Sequence, residues 1–489
     1  MFIAKSGVEV YPNRLDEQGR SDMTAVASGS WLDVLGEGRA SRFALICIGV
    51  WLGAADSLVA TTIMPSVGRA LGGFEYFGWA TAGFLLGSVL AGASSGLLAQ
   101  RFGLGRATAA AALVYALGCA LSAAGPDIGT FLVGRLLQGV GGGWVMGFCS
   151  VAIGLLFPDR TLPRVYAAVS AVWGVAALLG PLIGGIFADL GIWRWVFWFF
   201  AVQGMAVAAA ALFMLPRTSD SPAGARVAWA QLGLVALGVG AIALADIAGR
   251  FSISAALTIV GVTLLIAMVW VDERAIVRLL PAGSGELGSV AGIGFAAMFL
   301  ITAASMGYSV YGPAILQTLS RLSALQAGYA VASESVAWTL TALLVTHLAG
   351  AWPGRLIRLG GLLIALAVVL CAFTFPSGSV VGAIVAGLAL GAGFGVSYSF
   401  MSQRILATLS GAERGTGAAA MTTVRLTGSA AGAAMAAAVA NLVGVSAGLT
   451  SKAASAAGLW VFVSVVPIAL LGLWAAWRLG ADAPATATV

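Results

Sequence analysis

Fourteen apolar stretches, each close to the roughly 20 residues a helix needs to cross a bilayer, divide this chain. Nothing else in the sequence constrains its fold as much. They run 43–67, 75–99, 104–125, 129–156, 163–188, 193–215, 227–247, 253–271, 287–316, 325–349, 355–374, 378–403, 413–441 and 453–477. A soluble reading fails for want of water-facing side chains: only 9% of the 489 residues are charged, 60% are hydrophobic, and the mean hydropathy is +0.99. Globular domains carry about 25% charged residues. Backbone groups in hydrocarbon must be satisfied within the segment, so the stretches are read as helices and the protein as all-α and integral to the membrane.

The signs of the connecting segments orient the spans. With the N-terminus inside, 18 of the 25 Lys and Arg fall in inner loops and tails, against five (Arg69, Arg194, Arg250, Arg321 and Lys452) outside. Arg135 and Arg425 fall inside spans. Dropping any one span inverts every later loop, so this bias predicts fourteen spans with both termini inside. The N-terminal residues show no apolar h-region and no small-residue cleavage site, and a removed signal peptide is not expected. Six spans, a pair, then six more predict an N-terminal tail 1–42, an N-terminal six-helix bundle 43–216, an inserted helix pair 227–271, a C-terminal six-helix bundle 287–478 and a tail 479–489. Weak internal similarity between the halves fits the repeats of secondary transporters, whose sites lie near the midplane between halves.

Several function classes are excluded on chemistry. Cys47, Cys119, Cys149 and Cys371 lie far apart in apolar runs without disulfide or metal spacing. The single histidine, His347, leaves no histidine-based metal site or triad. The net charge of +6 comes from Lys and Arg scattered between apolar runs, which is not a nucleic-acid patch. No GxxxxGK[ST] loop is present, so ATP-driven pumping within this chain is not expected. No enzymatic activity, cofactor or metal is predicted, and a monomer is expected.

Charges inside spans point to a site. Asp56 lies midway along the first span, where a carboxylate costs several kcal/mol unless paired or protonated, so a proton or substrate-cation site is favoured over a structural role. Arg135 shares a helical face with Gln138 and Gly142 at i+3 and i+7. It reads as the partner a proton switch needs, or as a brace on backbone carbonyls. Glu334 shares a face with Trp338 and Thr341, and reads as a second coupling acid or as an interhelical hydrogen-bond partner. Arg425, near the centre of its span, reads as an ion-pair latch or as a contact for an anionic substrate. Gly174, Gly180 and Gly184 permit close helix approach, and Pro181 kinks its span. Trp31, Trp193, Trp195 and Trp270 lie near span ends and read as an interfacial belt.

These motifs, taken in order, resemble the major facilitator superfamily, and within it the fourteen-span drug:proton antiporter branch. Asp56 to Pro65 (DSLVATTIMP) resembles the branch's first-span LDxTIVNVALP, with Thr61 replacing Asn. Arg135, Gln138, Gly139 and Gly141 (GRLLQGVGGG) match the fourth-span RxxQGxG, and Gly174, Gly180, Pro181, Gly184 and Gly185 match the fifth-span antiporter motif. Trp193, Arg194, Trp195 and Phe197 match WRWxF, although Phe200 replaces the usual Asn, and VRLTGSAAG around Arg425 resembles the penultimate-helix pattern. The loop GLLAQRFGLGR departs most from GxxxDRxGRR: Gly96, Gln100, Arg101 and Gly103 are in register, an amide replaces the acid, and Arg106 comes one place late.

The resemblance implies two pseudo-symmetric six-helix bundles and a cavity lined by spans carrying Trp144, Met146, Trp173, Tyr308, Tyr311, Trp338, Tyr398 and Met401. With Gln138 and Arg425 these are candidate substrate contacts, with Asp56, Arg135 and Glu334 for proton coupling. The loop residues and fifth-span glycines are the conformational elements. Proton-driven export of lipophilic or amphipathic small molecules from a cell membrane is the expected function, with protons and membrane lipid as the other partners. A lipid or lipid-precursor exporter, or a non-transporting membrane sensor with the same fold, are the alternatives. Asp56→Asn is expected to abolish proton coupling and leave stability near wild type.

Overall fold

The computed structural model describes residues 31–36, 38–158, 161–216, 226–246, 250–345, 348, 350, 352–410 and 413–481. His347, the tail before Trp31 and the segment after Ala481 lie outside the described residues, and so do the side chains of Trp31 and Asp246. Every long element is a helix: α1 (Arg39–Leu71), α2 (Phe77–Gly92), α3 (Ser95–Phe102), α4 (Leu104–Ala124), α5 (Ile128–Leu156), α6 (Leu162–Asp189), α7 (Arg194–Met214), α8 (Trp229–Asp246), α9 (Phe251–Arg274), α10 (Val290–Leu319), α11 (Ala324–Val345), α12 (Trp352–Thr374), α13 (Val380–Ala407), α14 (Arg414–Leu442) and α15 (Ser451–Leu479). Among the described residues 11 helices are long and apolar enough to cross a membrane, or 12 with the bent pair Phe74–Gly92 and Ser95–Phe102. Two further expected stretches are α8, which is shorter, and α14, which is 29 residues long but less apolar.

Four of the helices start at side-chain caps. Asp127, Ser289, Ser379 and Thr450 each accept a backbone N–H from the first turn of α5, α10, α13 and α15, which satisfies one of the orphan donors there.

Packing sorts the helices into two sets. In the first, α4 lies against α5 and α7, α2 against α5, and α1 against α6; in the second, α11 and α12 flank α13, and α10 lies against α15 and α14. The pair α8–α9 packs on itself and, through α8, on α14 and α2. Small residues make the approach close. A Cβ on Gly139 would stand 2.1 Å from the Phe84 carbonyl oxygen, and one on Gly141 2.3 Å from the Tyr115 nitrogen. The obstacles are backbone, so Gly139→Ala is expected to lower stability by about 1–3 kcal/mol, read as a lower melting temperature in detergent.

The stretch 75–99, expected as one span, breaks at Ala93–Ser94 with a bend of 52°. The expected loop Gly96–Arg106 is instead most of the helix α3, a turn at Gly103, whose φ of +80° needs glycine, and the start of α4. Trp193 is not part of an interfacial belt: it is buried at 5% exposure, edge-on to Phe131 and Phe197. Trp195 and Trp270 are exposed as expected.

The two sets meet through α6 against α11, α14 against α2, and α1 against α10 and α11. The meeting is tight at one end. There the Asp189 carboxylate, at the end of α6, accepts the Ala324 and Leu325 N–H groups at the start of α11, at 2.8 and 3.3 Å. Across the molecule, the Asn441 amide at the end of α14 donates to the Glu75 carbonyl oxygen just before α2, at 2.6 Å. A Cβ on Gly185 would lie 2.4 Å from the Leu325 Cα, and one on Gly328 3.0 Å from the Pro181 Cβ. Toward the other end the facing helices gain exposure: Tyr166, Ala167, Ser170 and Ala171 on α6, Leu340, Leu343 and Leu344 on α11, and Ala418, Ala419 and Thr422 on α14.

Candidate functional site

Asp56, Arg135 and Gln138, separated by up to 82 residues in sequence, form one buried cluster. Gly49 and Gly53 bring α1 against α5, a Cβ on them falling 2.7 Å from the Cys149 sulfur and 3.5 Å from the Met146 methyl, and Asp56 follows within one turn. On α5 the glycines after Arg135 draw α2 inward, which sets its backbone and Phe84 beside the arginine. Arg135 Nη1 then donates to Asp56 Oδ1 and Oδ2 at 3.1 and 2.8 Å and to Gln138 Oε1, and Nε donates to the Ala80 carbonyl oxygen at 3.3 Å. The guanidinium carbon lies 4.7 Å from the Phe84 ring centroid, a cation–π placement that partly replaces lost hydration.

Asp56, Arg135 and Gln138 are exposed by only 0%, 1% and 0%, so water does not screen the pair. Both readings of Arg135, ion-pair partner and brace on a carbonyl, are met by the same side chain. Phe84 and Ala80 were not legible in the sequence, because the register between α2 and α5 sets them.

Glu334 lies on the wall that α11 presents, half-buried, and accepts the Ser309 hydroxyl at 3.1 Å. Trp338, one turn on, stacks on Phe394 at 4.7 Å and 8° and tilts against Tyr398 at 5.8 Å. Thr339 reaches within 3.7 Å of where a Cβ on Gly174 would stand, so α6 and α11 remain adjacent at the level of Trp173, which is 38% exposed. Trp144 donates to the Ser94 hydroxyl at 2.8 Å, pinning the break between α2 and α3 to α5. Of the other gating positions, Gly180 and Gly184 pack on Leu58 and Val59 of α1, Gly96 faces open space, and Arg101 and Arg106 are exposed.

Three expected cavity contacts are buried in this structure. Tyr308 is 1% exposed, its hydroxyl engaged by Ser333 and the Ala330 and Ala383 carbonyls within the second set. Met401, at 0% exposure, is core, and Tyr311 is buried at the closed seam, stacked on Phe77 at 5.6 Å. Aromatics and methionine fill gaps between packed helices as readily as they line pockets. An apolar recess of about 500 Å³ opens between α1 and α6, lined by Cys47, Ile48, Trp51, Ala171 and Val175 among others.

Two helical sets closed at one end and parted at the other, with an ion pair sealed in the first, is an arrangement for transport, and the sequence matches the Major Facilitator Superfamily over residues 46–433. The chain belongs to that superfamily. This major facilitator is therefore a multi-pass transporter of the cell membrane. It is 30% identical over 437 residues to a probable multidrug-efflux transporter of Mycobacterium tuberculosis (strain ATCC 25618 / H37Rv), covering 86% of this chain and 91% of the relative. Over 173 residues it is 29% identical to multidrug resistance protein 3 of Bacillus subtilis (strain 168), covering 35% of this chain and 33% of that one. The solved structure of a D-xylose–proton symporter superposes with a TM-score of 0.62 at 17% identity, over 91% of this chain and 98% of that one. At that identity the likeness speaks for the fold alone, which serves many substrates.

Proposed function

We propose that this major facilitator exports lipophilic or amphipathic small molecules in exchange for protons, by alternating access of its two helical sets. The observation that carries the reading is the Asp56–Arg135 pair, a carboxylate and a guanidinium 2.8 Å apart inside the first set. An ionisable residue in a span is functional by default, and this one has a partner whose hold on it depends on its charge. Protonation of Asp56 removes the attraction to Arg135 and frees α1 to move against α5. Deprotonation on the other side restores the pair and the packing around it. The names of the efflux relatives support drug-like cargo.

The walls suit such cargo. The recess beside Trp51 is apolar, and the aromatic stack of Trp338, Phe394 and Tyr398 offers ring faces, while polar side chains are few. Pockets of this make-up bind mainly apolar ligands with a few polar anchors, so affinity is expected to rise with ligand apolar area and hexoses are not expected to compete. Following the positive-inside rule, the closed end at Asp189 and Asn441 faces outward and the parted end faces the cytoplasm. On this reading fourteen spans place both termini inside.

The test uses the purified full chain in proteoliposomes with an imposed pH gradient and a lipophilic fluorescent dye. Uphill dye movement that collapses with a protonophore is the expected result. Dye movement unchanged by the protonophore, or none for any member of a dye panel, overturns proton-coupled export.

A further inference from the structure

We propose that Arg425 of α14 anchors the single anionic head group of an amphipathic solute at the blind end of the cleft between α2 and α10; the proposal rests on the export reading and gives its substrates a class. Three observations converge on this arginine. First, it is deep: eleven residues into α14, about 16 Å from the helix start at 1.5 Å per residue, and half-buried. Second, among the described residues its guanidinium has neither a hydrogen bond nor an ion pair, while Arg135, buried in the interior of α5, has five hydrogen-bond or cation–π contacts.

Third, its direction is fixed by its neighbours on the helix. Gly428 and Gly432 lie against Phe299 and Ala303 of α10, and Ala433 and Ala437 lie against Gly78 of α2. At 3.6 residues per turn Arg425 falls between these two faces, on the stripe that looks into the space between α10 and α2. Along that stripe Ala418 and Thr422 are exposed, Arg425 is half-buried, and Ser429, Gly432 and Ala436 are buried. The cleft therefore narrows from the parted end and stops just beyond the arginine.

Among the described residues no acidic side chain is paired with it. Neither α2 nor α10 contains a charged residue, and the one on α8 is Asp246, its last residue. On α9, Asp272 accepts from Gln231, Leu279 and Leu280, and Glu273 lies against Gly285. Arg404 of α13 and Lys452 and Arg478 of α15 carry the same sign as Arg425. Glu413 is at the start of α14 with Ser410, and Glu334 is hydrogen-bonded to Ser309, ten residues along α10 from Phe299. A guanidinium in such surroundings selects a planar or tetrahedral oxyanion, which it can grip through several N–H groups at once. Phe299, which packs against Gly428 three residues along α14, is apolar, and α2 and α10 carry no charge along their length, so the rest of the ligand is apolar too. Carboxylate, sulfonate and phosphate monoester heads share this chemistry, whether on a soluble solute or on a lipid.

The test is a matched series, a naphthyl-pentanoate, its primary amide and the trimethylammonium analogue, titrated calorimetrically into the full chain in phosphatidylcholine nanodiscs. The carboxylate is expected to bind at least about tenfold more tightly than the amide. That ratio should fall to near one in Arg425→Gln and persist in Arg425→Lys. Equal binding of carboxylate and amide by the wild type overturns the anion site without any variant, as does an unchanged ratio in a folded Arg425→Gln. Repeating the titration with phosphatidylglycerol in the disc separates the sources: lost preference assigns the site to a lipid head group, retained preference to a free solute, and either supports the site. Uphill export of the amide is read separately in proteoliposomes. Export without a carboxylate preference overturns the anion site alone, and a preference without export of any member overturns the exporter alone.

Discussion

Asp56→Asn is expected to reduce pH-gradient-driven export to background and also to destabilise the protein, by up to about 3–5 kcal/mol. The second half of that expectation reverses the near-wild-type stability that residue size alone suggests. Asparagine preserves shape and one acceptor, but it leaves the Arg135 guanidinium charged at 1% exposure with no counter-ion, and stranding one member of a buried pair is far costlier than removing both. The double variant Asp56→Asn, Arg135→Gln keeps the volume and removes both charges, so it should regain most of the lost melting temperature while remaining uncoupled. Uphill, protonophore-sensitive export by the double variant would show that the proton site lies elsewhere, with Glu334 the next candidate.

Gly185→Val is expected to hold the Asp189 end open. A side chain at this position must displace the Leu325 backbone, whose Cα lies 2.4 Å from the new Cβ and whose nitrogen lies 2.8 Å away. The helices can relieve the clash only by parting α6 from α11. The measurement is labelling of Ala327→Cys, at a site now 0% exposed, by a membrane-impermeant maleimide, with Cys47, the one native cysteine not fully buried, replaced by Ser. A rise of at least about tenfold in labelling rate, equivalent to about 1.4 kcal/mol of population shift, with loss of export, is the expected outcome. Unchanged labelling would mean that the seam absorbs the valine without opening.

How much of this was legible beforehand depended on the kind of information each feature needs. The helices follow from apolar length. The joining of Asp56, Arg135 and Gln138 followed from charges too costly to leave alone in spans, reinforced by a motif. Glycines 180 and 184 were legible as packing positions because small residues mark close approach in membranes, and Gly139 and Gly185 only as members of motifs. What they approach was not legible, since the register of α5 on α2 or of α6 on α11 is a property of the assembled faces. For the same reason Ser309 was missed as the partner of Glu334, and Asp189 and Asn441 as links between the sets. A terminal acid before Leu190–Gly191 was a weak signal for the former. The burial of Tyr308 and Met401 was not legible, because a residue type states what a side chain can do and not how deeply it packs.

The two links at the closed end occupy corresponding places in the two halves of the fold, yet they are made of different material. Asp189 brings a full negative charge to the N-terminus of α11, where unpaired N–H groups and the helix dipole favour an anion, whereas Asn441 offers an uncharged amide to a carbonyl. Dissolved ions weaken the first kind of bond and leave the second almost untouched. The closure is thus like a door with one magnetic catch and one plain bolt: rising ionic strength is expected to weaken the Asp189 catch and to leave the Asn441 bolt in place. A fold that is nearly symmetric in its helices is, at its rim, directional.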